Sequence, residues 1–123
     1  MDVENLIKTI IAAAIEVKRT LGSGFLENVY LNALVHELRL RDIPVETEKQ
    51  LRIFYKGTDV GWYRADIIAD GRVILELKCA ESIAMAHEYQ LVNYLRATGI
   101  DNGLIINFGS SPIGIKRKFR IKA

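Results

Sequence analysis

The chain begins with two stretches in which apolar residues recur at helical spacing. Residues 2 to about 20 place aliphatic side chains on one face and predict an amphipathic helix, with Asp2 available as its N-cap. The letters LGSG interrupt the pattern, and Ser23 is expected to cap a second helix from about Phe25 to Arg41. Pro44 ends this second element because proline cannot continue a helix.

From Val45 onward the apolar residues follow a period of two. The letters VETEKQLRIFY alternate and are rich in β-branched and aromatic residues, which predicts a first strand. KGTD supplies a turn before a second strand, VGWYRADIIA. The dipeptide Asp70-Gly71 is a strong hairpin signal that leads into a third strand, RVILELKCA.

The last third of the chain returns to a helix and then to strands. A third helix is predicted from about Ser82 to Thr98, with Gly99 closing it at the C′ position. The continuous apolar run GLIINFG predicts a strand that is covered on both faces, and residues 115 to 121 are compatible with a short final strand. The order ααβββαβ, with that optional last β, predicts an α/β fold in which helices flank a mixed β-sheet.

Length and composition limit the classes of protein that need to be considered. A chain of 123 residues, 50% hydrophobic and 26% charged, is expected to form a single globular domain over residues 1–123. The apolar run LIKTIIAAAIEV is too short to cross a bilayer and carries charges, so no membrane partner is expected. Cys79 is the only cysteine, so an internal disulfide is excluded, and this fits a cytoplasmic location. The Cys79 side chain is expected to lie in the core.

The net charge of +2 is unevenly distributed along the chain. The segment KRKFRIK holds five of the seventeen basic residues and no acid, and its first three members are Lys116, Arg117 and Lys118. Such a strip could contact phosphate groups. The alternative is a solvated edge strand whose charges prevent aggregation.

Three charged residues, Asp66, Glu76 and Lys78, interrupt strands that otherwise favour burial. Residues two apart on a strand share a face, so Glu76 and Lys78 project together. Asp66 on the neighbouring strand could join Glu76 around one hard cation, since magnesium takes oxygen ligands and needs only one or two protein carboxylates. The alternative is a solvated surface pair, which would cost little.

The hairpin loop decides whether these carboxylates share a face. A two-residue turn at Asp70-Gly71 would pair Asp66 with Leu75 and separate the two acids. A three-residue loop, Ala69 to Gly71, would pair Asp66 with Ile74 and bring all three charged residues to one face. The metal hypothesis therefore predicts this loop or an equivalent bulge.

The arrangement of Asp66, then Glu76-x-Lys78, on two strands after N-terminal helices resembles the PD-(D/E)XK nuclease superfamily. The letters RAD stand where the superfamily's name has its proline, at a position that varies among members. The matching elements run from about residue 5 to residue 110. The resemblance implies a restriction-endonuclease-like fold.

Two further motifs strengthen the resemblance. The letters GFLENVY contain Gly24-x-x-Glu27-x-x-Tyr30, which resembles the signature of the GxxExxY family within that superfamily. QLVNY gives Gln90-x-x-x-Tyr94, which is similar to the motif that follows the metal site in RecB-like nucleases. On the residues alone, Glu27 would complement a helix dipole and Tyr30 would pack in the core.

The resemblance implies a nuclease that uses Mg²⁺ or Mn²⁺ and acts on nucleic acid, with DNA the expected polymer. Asp66 and Glu76 would bind the metal, joined by the Leu77 carbonyl and Glu27. Lys78 would orient a water molecule or stabilise charge on the phosphoryl oxygens.

Substrate contacts are expected from residues around this centre. Gln90 would position water or substrate, and Tyr94 would anchor its helix beside the substrate. Arg64 could contact a phosphate and Trp62 a base, and the basic residues 116 to 118 are further candidates. One alternative is a non-catalytic module that binds nucleic acid or protein. Another is a structure-specific endonuclease of the Holliday-junction type. A homodimer would suit this endonuclease as well as the metal-dependent nuclease.

Overall fold

The computed structural model describes residues 1–121. Within them, three helices and five strands follow one another in the predicted order, including the short final strand. The elements are α1 (Val3–Leu21), α2 (Glu27–Leu40), β1 (Val45–Tyr55), β2 (Thr58–Ala69), β3 (Val73–Lys78), α3 (Met85–Thr98), β4 (Asn102–Asn107) and β5 (Gly114–Phe119).

The strands form one mixed sheet with the spatial order β1-β2-β3-β4-β5. Neighbouring strands are antiparallel except β3 and β4, which are parallel and are connected through α3. This is the flanked mixed sheet that the sequence predicts. All six residues of β4 are buried, as expected for a strand with helices on both sides.

Each face of the sheet has its own hydrophobic core. Helices α1 and α2 cover one face, where aliphatic residues of both helices pack against Ile67, Leu75, Leu77, Leu104 and Ile106. Helix α3 covers the other face, where Leu91 and Leu95 pack against Ala65, Ile68, Ile74 and Ile105. We refer to these as the α1/α2 face and the α3 face.

Two helices begin later than the sequence predicts. Helix α2 starts at Glu27 with Leu26 as its N-cap, so Ser23 does not cap it. Helix α3 starts at Met85 rather than near Ser82, because the preceding chain is hydrogen-bonded to β4 through Ala80. The predicted end of α3 is confirmed, with Gly99 in the left-handed conformation.

The loop between β2 and β3 has three residues, as the metal hypothesis requires, but they are Asp70 to Arg72 rather than Ala69 to Gly71. Asp70 and Gly71 both have positive φ, 53° and 66°, and the Asp70 N–H donates to the Pro44 carbonyl at 2.7 Å. Ile68 therefore pairs with Ile74. The last pair of the two strands is Ile67 with Leu75, and continuing this register by one residue sets Asp66 opposite Glu76. The predicted loop would instead have set Asp66 opposite Ile74.

Cys79 does not lie in the core. It follows β3 directly and is exposed, because the strand ends at Lys78 and the chain turns towards α3. No helix among residues 1–121 is long and apolar enough to span a bilayer.

Candidate metal centre

The candidate site lies where β2 and β3 separate. Strand β2 bonds to β1 along nearly its whole length, but it pairs with β3 only over residues 67–69. The outer part of the β1–β2 hairpin therefore extends past β3. Asp66 lies at the fork, immediately beyond the last β2–β3 pair.

Strand β2 is irregular at this point. The side chains of Tyr63, Ala65 and Ile68 pack in the core of the α3 face, whereas that of Ile67 packs in the core of the α1/α2 face. Residues 65 and 67 would share a face on a regular strand, so the alternation of side chains is interrupted around Asp66. Across from it, Glu48 of β1 has a φ of 50°. Irregular strands of this kind recur next to functional sites because they redirect a side chain.

Asp66 is fixed by a backbone hydrogen bond. The Leu77 N–H donates to its Oδ2 atom at 2.8 Å. This bond replaces the ladder bond that β2 would have made had the two strands stayed paired. One oxygen of Asp66 thus holds the carboxylate in place between the strands.

Glu76 is more deeply enclosed than Asp66. Burial, and after it the negative charge of Asp66, raises the pKa of the Glu76 carboxyl well above its usual range. Burial also raises the pKa of Asp66, opposed by the Leu77 N–H and by Lys78. Two half-buried carboxyl groups this close favour a shared proton or a bound cation over two free charges.

Lys78 supplies the positive charge of the cluster. Its ammonium lowers the pKa of Glu76, of Asp66 and of Glu27, which places it near all three carboxyl groups. None of the ion pairs recorded for residues 1–121 includes Lys78. Its charge therefore remains available to a ligand.

Asn107 positions the end of β3 and was not identified from the sequence. It lies opposite Lys78, is buried, and its side chain bonds to both backbone groups of Ala80 at 3.0 and 2.9 Å. The Phe108 N–H donates to the Lys78 carbonyl at 2.8 Å. These bonds hold the backbone that carries Lys78 against β4.

The donor set fits a hydrated magnesium ion. The Oε1 atom of Glu76 is buried and has no hydrogen-bond partner among the described residues, which is costly unless a ligand satisfies it. The N–H and C=O of one strand residue point to the same side, so the Leu77 carbonyl points towards the fork with its N–H. In residues 1–121 no three His, Cys, Asp or Glu side chains form a group that could hold a cation, but Mg²⁺ needs only one or two carboxylates and keeps several waters.

Glu27 lies at the rim of this centre, at the first residue of α2. Partial burial and, after it, the charge of Asp66 raise the pKa of its carboxyl, which indicates that Glu27 lies near the pair. The Tyr30 hydroxyl donates to the Gly22 carbonyl at 2.6 Å and accepts from the Phe25 N–H at 3.4 Å. Gly24 has a φ of 103°, so this motif folds the loop that aims the start of α2 at the site.

Two tyrosines close the α3 side of the centre. Tyr94 of α3 stacks on Tyr63 of β2 with 9° between the ring planes. Burial and then Glu76 raise the pKa of both phenols, so both rings lie near the pair. Gln90 is exposed one turn before Tyr94, on the same side of α3.

The predicted contacts on β2 are exposed at the surface. Arg64 is exposed, and its guanidinium lies 3.6 Å from the Glu48 carboxylate. Trp62 is 54% exposed on the projecting part of the hairpin. Both remain at the surface beside the fork, and Tyr63 between them faces inwards.

The basic segment divides between the two faces of the sheet. Arg117 makes a two-pronged ion pair with Glu4 of α1, at 2.7 and 2.8 Å, whereas Lys118 pairs with Glu88 of α3 at 3.1 Å. Lys116 is exposed and pairs across the sheet with Ile105, which in turn is opposite Glu76. Strand β5 is an edge strand, as the alternative interpretation expected, and Lys122 lies outside the described residues.

A family model described as the PD-(D/E)XK nuclease superfamily matches residues 4–118. A solved structure, described as the crystal structure of SSO0001, matches 78% of this chain and 50% of that chain with a TM-score of 0.59 and 20% sequence identity. The chain thus spans about half the length of that protein, and the likeness concerns the fold. No curated protein matches the sequence significantly.

Proposed function

Because the chain belongs to the PD-(D/E)XK nuclease superfamily, we propose that it is a divalent-metal-dependent nuclease that hydrolyses phosphodiester bonds in DNA. The observation that carries the proposal is the half-buried pair of Asp66 and Glu76, in which the enclosed Glu76 Oε1 atom has no hydrogen-bond partner among residues 1–121. A purely structural pair would satisfy that oxygen within the protein. A bound cation satisfies it and removes the repulsion between the two carboxylates.

The ligands are provided by the fork between β2 and β3. When bound, Mg²⁺ or Mn²⁺ stabilises charge on the phosphate and lowers the pKa of a coordinated water. Asp66 keeps one oxygen on the Leu77 N–H and offers the other, while Glu76 offers Oε1. The Leu77 carbonyl is the third ligand that the protein provides to the cation. Glu27 at the rim accepts hydrogen bonds from the waters of the cation.

Lys78 acts on the substrate side of this centre. Its ammonium is near the carboxylates yet has no ion-pair partner among the described residues, so it can contact a phosphoryl oxygen directly. It stabilises the negative charge that develops as water attacks phosphorus, or it orients that water. Gln90 and Tyr94 border the same space from α3, and Lys116 offers a phosphate contact farther along the α3 face.

We also propose that the chain belongs to the GxxExxY family within the superfamily. The support is structural as well as textual, because Gly24, Glu27 and Tyr30 act as one unit. The glycine permits the turn, the tyrosine clamps it, and the glutamate starts α2 beside Asp66.

The proposal is tested by cleavage of supercoiled plasmid in Mg²⁺ or Mn²⁺, with a chelator as the blank. Asp66→Asn and Lys78→Met should each slow cleavage by about 100-fold or more, because each removes charge stabilisation in an enclosed site. Lys8→Met, an exposed lysine on α1, is the matched control and should cut like the unchanged protein. Intact plasmid with the unchanged protein, or equal rates for Lys78→Met and the control, would refute the proposal, and metal-independent DNA binding without cleavage would indicate a binding module.

A further inference from the structure

Tyr63 carries a second buried oxygen atom without a partner. In residues 1–121 only two buried side-chain nitrogen or oxygen atoms lack a hydrogen bond, and they are Tyr63 Oη and Glu76 Oε1. An unpaired buried hydroxyl is unfavourable, and native proteins contain few. That both of these atoms belong to one site indicates that something other than the protein satisfies them.

The two oxygens are electrostatically linked. After burial itself, the carboxylate of Glu76 contributes most to raising the pKa of the Tyr63 phenol, followed by Tyr94 and Asp66. The phenol is therefore neutral at physiological pH and adds no negative charge beside the acids. It can donate or accept a hydrogen bond.

The surrounding residues hold the Tyr63 ring in one orientation. It stacks on Tyr94 and packs at the margin of the α3-face core, whose members include Ala65 and Leu91. A ring fixed in this way keeps its hydroxyl at one place without any hydrogen bond to residues 1–121. Such pre-positioning is what an outer-sphere group for a metal site requires.

We propose that the Tyr63 hydroxyl is a positioning group that hydrogen-bonds a water molecule of the hydrated cation beside Glu76. The inference rests on the proposed function, because it needs a cation at the carboxylate pair. Mg²⁺ retains several of its waters in proteins, and an enclosed water needs two to four polar partners. The cation and Tyr63 Oη supply two of them, while Glu76 Oε1 is satisfied by the cation itself, so one hydrated cation accounts for both orphaned oxygens at once.

The test is Tyr63→Phe, with melting temperature measured calorimetrically over a series of MgCl₂ concentrations. A ligand that binds only the folded state raises the melting temperature, so the series yields the magnesium dissociation constant and the metal-free stability together. Tyr55→Phe is the matched control, since Tyr55 lies on the same hairpin and is 62% exposed. Plasmid cleavage is measured in parallel.

The expected result has two parts. Tyr63→Phe should weaken magnesium binding by about 10-fold, as loss of an outer-sphere partner typically does, while Tyr55→Phe should leave it unchanged. Without metal, the melting temperature of Tyr63→Phe should be equal to or higher than that of the unchanged protein, because an unsatisfied hydroxyl is removed. A hydroxyl with a structural role would give the opposite shift.

The outcomes separate this inference from the function on which it rests. If the unchanged protein binds magnesium and cuts, but Tyr63→Phe binds it equally well, the role of Tyr63 is refuted and the nuclease proposal stands. A lower metal-free melting temperature for Tyr63→Phe would also refute it. If the unchanged protein shows no stabilisation by magnesium, the metal-dependent function fails first.

Discussion

Asp66 and Glu76 illustrate at the scale of single residues how a binding site is maintained at the expense of stability. Both carboxyls are half-buried, and burial is the largest cause of the raised pKa of each. Their raised pKa values mean that the folded, metal-free protein holds protons that the unfolded chain would release. Without a cation, deprotonation therefore favours unfolding.

The pH dependence of metal-free stability should show this directly. A carboxyl whose folded pKa is raised contributes stability at pH values below its unfolded pKa, about 4.3 for glutamate, and loses it as pH rises through the folded pKa. Because the pKa of Glu76 is raised to about 8, the free energy of unfolding should fall between about pH 5 and pH 8, by up to about 1.4 kcal/mol per pH unit for each proton released. Urea denaturation across this range in a chelator measures it.

Glu76→Gln is the control for that measurement. The glutamine does not titrate, so the slope should become shallower, and the variant should be the more stable protein at the alkaline end. The pKa values of Glu4 and Glu16 are lowered, so these residues change the free energy of unfolding only at pH values below the range from about pH 5 to pH 8. Parallel pH profiles for the two proteins would contradict the protonation account.

Strand periodicity was enough to predict that Glu76 and Lys78 share a face, and the chemistry of acids in apolar strands was enough to single out Asp66. Tyr63 could not be found in this way. Its significance lies in a stack with Tyr94 of a distant helix and in the absence of a hydrogen bond, and neither leaves a local signal in the sequence.

At the scale of elements, the ends of helices and strands were harder to predict than their existence. Ser23 and Ser82 are good N-cap residues, yet α2 and α3 begin three or four positions later. The Tyr30 hydroxyl donates to the Gly22 carbonyl before α2, and the Ala80 N–H donates to Asn107 Oδ1 of β4 before α3, and these hydrogen bonds hold the preceding chain out of the helix. Tertiary contacts of this kind override local propensity.

The junction between β3 and β4 is the element on which the position of Lys78 depends most. A Cβ atom on Gly109 would lie 2.4 Å from the Ala80 nitrogen and 2.5 Å from its carbonyl oxygen, both of which are backbone atoms. Gly109→Ala should therefore force the backbone after Lys78 away from β4 and lower the free energy of unfolding by about 1–3 kcal/mol. Chemical denaturation measures the loss.

Ser110→Ala is the neighbouring control. The serine hydroxyl makes one exposed hydrogen bond, to the Pro112 carbonyl. Ser110→Ala should therefore lower the free energy of unfolding by less than Gly109→Ala does. Gly109→Ala should also slow cleavage, because Lys78 is displaced. Equal stability for the two variants would show that the junction can relax.

At the scale of the whole molecule, charge is organised by the faces of the sheet rather than by the linear segment in which it occurs. The basic strip looks uniform in sequence, but alternation along β5 sends Arg117 to Glu4 on the α1/α2 face and leaves Lys116 on the face of the carboxylate pair. The strip could be recognised from the sequence, whereas its division could not, because the partner of each side chain lies on a different helix.

DNA binding should therefore separate Lys116 from Arg117. Lys116→Ala should weaken binding and reduce the slope of log affinity against log salt concentration by about 1, because one phosphate contact is lost. Arg117→Ala should leave that slope unchanged, since the guanidinium is held by Glu4 and Asn102. Fluorescence anisotropy in a chelator, which prevents cleavage, measures both, and equal slopes for the two variants would count against this division.

The most direct test of the central claim, that Asp66 and Glu76 form a cation site, is isothermal titration of Mn²⁺ into the unchanged protein and Glu76→Gln at neutral pH. We expect saturable binding that Glu76→Gln weakens by about 10-fold or more, with the fold of the variant retained. Equal binding by both proteins, or no saturable binding by the unchanged protein at millimolar Mn²⁺, would contradict it.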